Sequence, residues 1–157
     1  MHAGGMLQAM TKFTFRLESI LAIKLKLEEQ AKMEFAAAKM RLNEEEDKLQ
    51  ALKDRKEAYE QELKRLYMGN LDVRRINSTS AAIEVTETQI NTQVFAVKRA
   101  EKKVTAASDK LNTVMQERKS MEKLKENKFA EYMREYNEEE SKQTDELISY
   151  QYGRVEE

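Results

Sequence analysis

From Phe13 onward, apolar positions recur at alternating steps of four and three. Phe13, Leu17, Ile20, Lys24, Leu27 and Ala31 open the series. Phe35, Ala38, Leu42, Glu45, Leu49, Leu52, Lys56, Tyr59, Leu63 and Leu66 continue it, with a charged residue occasionally standing in a seam position. A mean period of 3.5 keeps one narrow stripe of a helix against a partner helix, which is the coiled-coil repeat. Two successive four-residue steps around Ala31 predict a stutter that unwinds the supercoil locally. The pattern predicts a helix over 13–67, roughly 80 Å long at about 1.5 Å per residue.

Met68-Gly69-Asn70 ends the run, and Gly69 is expected to take the left-handed conformation of a helix C′ position. Asp72, Asn77, Ser78, Thr79 and Ser80 are cap and turn residues, so the reading places a loop over 68–80. A second periodic run follows: Ile83, Glu87, Ile90, Val94, Val97, Glu101, Val104, Ser108, Leu111 and Met115. It blurs at Arg118, Met121 and Leu124 and resumes at Phe129, Tyr132 and Tyr136, predicting a helix over 81–147. Residues 149–157 are expected to be a frayed acidic tail. Residues 1–10, MHAGGMLQAM, show no periodicity and read as a disordered start or a cloning remnant.

Neither stripe can be buried by its own helix. Two runs of similar length joined by one short loop predict an all-α fold, a long antiparallel two-helix coiled coil over 11–148. A loop centred near residue 74 sets facing residues to numbers summing to about 148. Leu66 then meets Ile83, and Leu17 meets Phe129 to Tyr132. Lys24 would approach Glu122, and Glu45 would approach Lys102 or Lys103.

Composition supports the helical reading and removes most chemistry. The chain has 157 residues, no Cys, no Pro and four Gly, with 36% charged residues. Abundant Lys, Arg, Glu, Ala and Leu suit long helices. No apolar run approaches the ~18 residues of a membrane span, and no signal peptide is read at the start, so direct membrane insertion is not expected. With His2 as the single His, a nucleophilic triad or a zinc site has no residues to draw on, and four Gly build no phosphate loop. The reading is a non-enzyme with no cofactor and no metal.

Charge adds one feature. Ten Lys or Arg against five acidic residues lie between Lys98 and Lys128, and seven acidic residues against Lys142 and Arg154 lie from Glu138 onward. Such unevenness suits steering of protein partners. A net charge of −1 argues against nucleic acid as a partner.

The opening Phe13-Thr14-Phe15-Arg16-Leu17-Glu18-Ser19-Ile20-Leu21, followed by Glu28-Glu29 and Ala31, is similar to the start of the FliJ family. Leu49 to Asp54 leading to Tyr59 and Leu63, Gly69 followed by Arg75-Ile76-Asn77, and Lys142 followed by Asp145-Glu146 extend the resemblance over about 13–148. It implies a soluble stalk-like component of the flagellar type III export apparatus. Such a protein binds the export ATPase ring and promotes its assembly. It also links the ring to the membrane export gate and hands on empty export chaperones. Carried onto this chain, the ring contact falls on Phe13, Arg16, Phe129 and Tyr132. The gate contact falls on Leu52, Arg55, Tyr59 and Val85, although Ala81 stands where relatives carry a larger apolar residue. The implied location is cytoplasmic, peripheral to the inner membrane at the flagellar base, and the free chain is expected to be a monomer. Two alternatives remain open: the equivalent stalk of an injectisome, and a structural or adaptor coiled coil that bridges partners.

Overall fold

The computed structural model describes residues 13–155; the expectation for residues 1–10 lies outside them, as do residues 156 and 157. Two helices account for nearly all of this range, α1 over Glu18–Met68 and α2 over Val73–Val155. They run antiparallel and pack against each other, as the heptad pattern predicts. The chain forms two compact units, Met1–Glu28 with Val114–Glu157, and Glu29–Thr113.

The connection is shorter than the predicted 68–80. α2 begins at Val73, immediately after Asp72, whose Oδ1 accepts from the Arg75 backbone N–H at 3.2 Å. That is an N-cap bond to the third helical residue. Of the residues that read as loop formers, Ser78 is accommodated in α2 by bonding the helix's own backbone, as the later Thr residues of the helix also do. Ser78 Oγ donates to the Arg75 carbonyl, and Thr86, Thr88 and Thr92 donate to the carbonyls four residues back. Gly69 does not adopt the expected left-handed conformation, since no described residue has a positive φ. A Cβ there would meet nothing nearer than the Arg65 carbonyl oxygen at 3.8 Å. The chain therefore reverses by capping the start of α2. The other end differs as well: α2 continues to Val155, through the segment expected to fray.

Moving the loop moves the register. In the Glu29–Thr113 unit, Glu34 pairs with Lys110, Lys56 with Glu87 and Glu62 with Arg75. In the other unit, Glu18 pairs with Lys125, Lys24 with Glu117 and Glu28 with Arg118. Partner numbers sum to between 137 and 146 rather than 148. Lys24 meets Glu117 instead of Glu122, and Glu45 meets Gln93 instead of Lys102 or Lys103.

The seam also differs from its predicted frame at one end. From Ala31 to Leu66 every predicted α1 position is buried or half-buried. Before Ala31 the inward residues are Leu21, 5% exposed, and Glu28, 4% exposed, while Ile20 and Leu27 face out at 40% and 41%. The steps Leu17, Leu21, Lys24, Glu28, Ala31, Phe35 alternate four and three without interruption, so no stutter exists there. A pattern built on apolarity selects Leu27 over its neighbour Glu28, but Glu28 is stabilised inside by Arg118. On α2, Thr86 and Ala100 are buried where Glu87 and Glu101 were expected. Thr86 Oγ1 satisfies itself on the Ala82 carbonyl at 2.7 Å. Among the described residues, no buried side-chain nitrogen or oxygen lacks a partner.

Candidate docking surfaces

The first surface lies in the unit that joins the start of α1 to the late part of α2. Residues 13–15 precede the helix, and the Glu18 N–H donates to the Phe15 carbonyl at 3.1 Å in the turn that leads into it. That turn buries Phe15 and brings Phe13 across to α2. The Phe13 ring meets Phe129 edge-on, with centroids 5.1 Å apart and planes at 73°. It meets Tyr132 at 5.6 Å, and Tyr132 stacks on Tyr136 at 6.4 Å. Aromatic pairs in such geometries gain roughly 0.5–1.5 kcal/mol beyond their area burial. Phe15 apart, the four rings of Phe13, Phe129, Tyr132 and Tyr136 remain partly open to solvent. Burial raises the Tyr136 phenol above its ordinary pKa, with the Glu140 carboxylate adding to it.

Three of the four residues expected at this surface, Phe13, Phe129 and Tyr132, thus touch in one cluster. The fourth, Arg16, is exposed and lines the same cleft of about 640 Å³ with Phe13 and Tyr132. The cleft also includes Leu124 and Lys128, which the sequence reading did not select. Leu124 falls where the apolar period of the second run blurs. Lys128 carries no signal beyond its place opposite residue 14 in the antiparallel register.

The second expected surface lies in the Glu29–Thr113 unit. Leu52 and Tyr59 are half-buried on the α1 seam, so each offers only an edge. Arg55 is exposed, and Val85 on α2 is exposed despite being apolar. None of the four carries a polar interaction with another. They share a level of the hairpin without forming a cluster of the kind seen at Phe13.

Both units contain a polar layer within the seam. Glu28 accepts from Arg118 through two bonds, from Nε at 2.6 Å and from Nη2 at 3.1 Å, while Arg118 Nη1 donates to Glu122 at 2.9 Å. These bonds, Glu28's first, push the Arg118 pKa further up. Gln93 Nε2 donates to Glu45 Oε2 at 2.5 Å and to the Glu45 carbonyl at 2.9 Å. The Gln93 bond, helped by Lys48 and Arg41, holds the Glu45 carboxyl below its usual range against the opposing effect of burial. These groups are structural, because each is consumed by its partner.

A family profile described as Flagellar FliJ protein matches residues 13–157, nearly the whole chain. The chain belongs to the FliJ family. No curated protein and no solved structure matched it. Family membership makes this chain a component of flagellar export, and no described helix is long and apolar enough to cross a membrane. Among the described residues no group of three or more His, Asp or Glu is arranged to hold a metal ion.

Proposed function

We propose that this FliJ-family chain acts as a non-enzymatic, stalk-like protein that engages the ring of the flagellar export ATPase through the Phe13 cluster. The observation that carries this reading is the group of partly open aromatic rings, Phe13, Phe129 and Tyr132, beside the exposed Arg16. Aromatic and Arg side chains are the commonest anchors of protein interfaces. Here the rings are held rigidly by one another, which lowers the ordering cost of binding. Engagement of several ATPase subunits by one stalk promotes ring assembly. Arg55 and Val85, with the edges of Leu52 and Tyr59, form the contact to the cytoplasmic part of the export gate. Transfer of empty export chaperones is a further role on this reading, and the protein works in the cytoplasm at the flagellar base.

The test is titration of the chain into the cognate export ATPase at a concentration where that enzyme is mostly monomeric, with hydrolysis and ring formation followed together. Stimulation is expected, and Phe13→Ala with Tyr132→Ala is expected to abolish it while helicity is retained. A folded chain that neither associates with the ATPase nor stimulates it refutes the reading.

A further inference from the structure

The ten Lys and Arg residues between Lys98 and Lys128 are not equivalent once folded. Lys110 pairs with Glu34, Arg118 with Glu28 and Glu122, and Lys123 with Glu126. Lys125 pairs with Glu18 and Lys128 with Glu131. Lys98, Arg99, Lys102, Lys103 and Lys119 have no ion pair among the described residues. Four of these five fall within six consecutive positions of α2, about 8 Å of helix, with Glu101 the only acid between them.

The same face carries the exposed ring of Phe95, at 61%, with Lys98 Nζ 5.7 Å from its centroid. Phe95, Lys98, Lys102, Ala106 and Asp109 follow each other at helical spacing along one side of α2. On the flank, Arg99 and Lys103 border a small concavity with Arg41 and Glu45. The Glu45 carboxylate is already engaged by Gln93, Arg41 and Lys48, so α1 does not neutralise this cluster.

We propose that this face of α2 is a docking surface for an acidic amphipathic helix of another protein. Carboxylates one turn apart on that helix meet Lys98 with Lys102 and Arg99 with Lys103, and an apolar side chain covers Phe95. Charge complementarity over two turns supplies orientation, and the aromatic ring supplies a desolvated anchor. A nucleic-acid duplex is a poorer occupant. Four cations within about 8 Å reach only a few phosphates, and Glu101 and Asp109 would face the same backbone.

The test is independent of the ATPase reading. A fluorescein-labelled 16-residue Ala-based helical peptide, with two Glu pairs at i,i+4 spacing and one Leu, is titrated with the full chain at 50 mM salt and followed by anisotropy. Binding is expected, weakening several-fold at 300 mM salt. Lys98→Glu with Lys102→Glu is expected to weaken it about tenfold or more, and Phe95→Ala several-fold. Lys119→Glu, at the isolated unpaired cation, is expected to leave it within twofold. All four side chains are exposed, and circular dichroism checks that helicity is kept. Three results overturn the proposal: equal binding by a Lys-for-Glu peptide, undiminished binding by the Lys98→Glu, Lys102→Glu variant, or tighter binding of a 20-base-pair duplex at the same salt. Self-association that the same double variant abolishes also overturns it, by giving the face to a second copy.

Discussion

Leu21 and Leu27 stand six residues apart on α1, and exchanging each for Ala separates two frames for the same helix. A seam drawn by apolarity holds Ile20 and Leu27, whereas the folded seam holds Leu21 and Glu28. Leu21 is 5% exposed and Leu27 is 41% exposed. Full burial of a Leu side chain contributes about 1.5–3 kcal/mol, and truncation inside a packed layer adds a cavity term, for a total of about 2–5 kcal/mol. A two-helix seam is flanked by water and collapses more readily than a globular core, which places Leu21→Ala near 2–3 kcal/mol on that scale. Leu27→Ala opens no enclosed void, because its outer side already faces water, and is expected to cost about 1 kcal/mol or less. The assay is urea and thermal unfolding of the full chain followed at 222 nm. At roughly 2–4 °C per kcal/mol for a chain of this length, Leu21→Ala lowers Tm by about 4–12 °C. Leu27→Glu, which inserts a charge, is expected to be tolerated as well. A loss from Leu27→Ala equal to or larger than that from Leu21→Ala would refute the frame.

The acid limb of stability carries a signature of Glu45. Its folded pKa lies below the ordinary 4.5, chiefly through Gln93, so its contribution is complete above that value and is lost as pH falls through the folded pKa. Melting curves from pH 7 to 2 are expected to fall less steeply below 4.5 in Gln93→Leu, and an unchanged slope contradicts the assignment. Tyr136 gives the opposite limb. Its raised pKa means stability is complete below 10 and is lost as pH rises through the folded value, so absorbance at 295 nm should show one tyrosine titrating late, removed in Tyr136→Phe. Asp72→Ala is expected to cost about 1 kcal/mol through loss of the α2 N-cap, measured by the same unfolding assay.

Particular residues explain what the sequence made legible. The 3.5 period from Ala31 to Leu66 is carried by apolar side chains that have nowhere else to go, and it identified the fold and most of α1's buried face. The frame failed at Glu28 and Thr86 for a common reason: both are polar groups buried because a bond satisfies them, and that bond depends on the other helix or on a carbonyl four residues back. The loop was drawn too long because Ser and Thr were weighed by their preference for caps and turns. In α2 the Ser78 hydroxyl instead closes on the preceding helical turn. The aromatic cluster was readable because Phe13, Phe129 and Tyr132 are few and concentrated near one level of the hairpin. The separation of the Lys98–Lys103 cluster from the paired cations after it depends partly on where α1 places Glu34, Glu28 and Glu18, and partly on Glu126 and Glu131 within α2 itself. That placement follows from the register, which the heptad pattern alone does not fix.

The Glu28–Arg118 and Glu45–Gln93 layers have a mechanical consequence. Apolar heptads resemble one another, so a Leu-only seam can slide by seven residues and repack with little penalty. A slide of that size here moves Arg118 away from Glu28 and Gln93 away from Glu45, and breaks the bonds that tie each carboxylate to the opposite helix. Separating such partners is far more costly than shifting a leucine contact. Each unit holds one of these latches, so each resists shear along the helix axis by itself. Within each unit the polar layer therefore fixes which residues stand opposite one another, where a seam of apolar side chains alone would leave the choice among neighbouring heptads open.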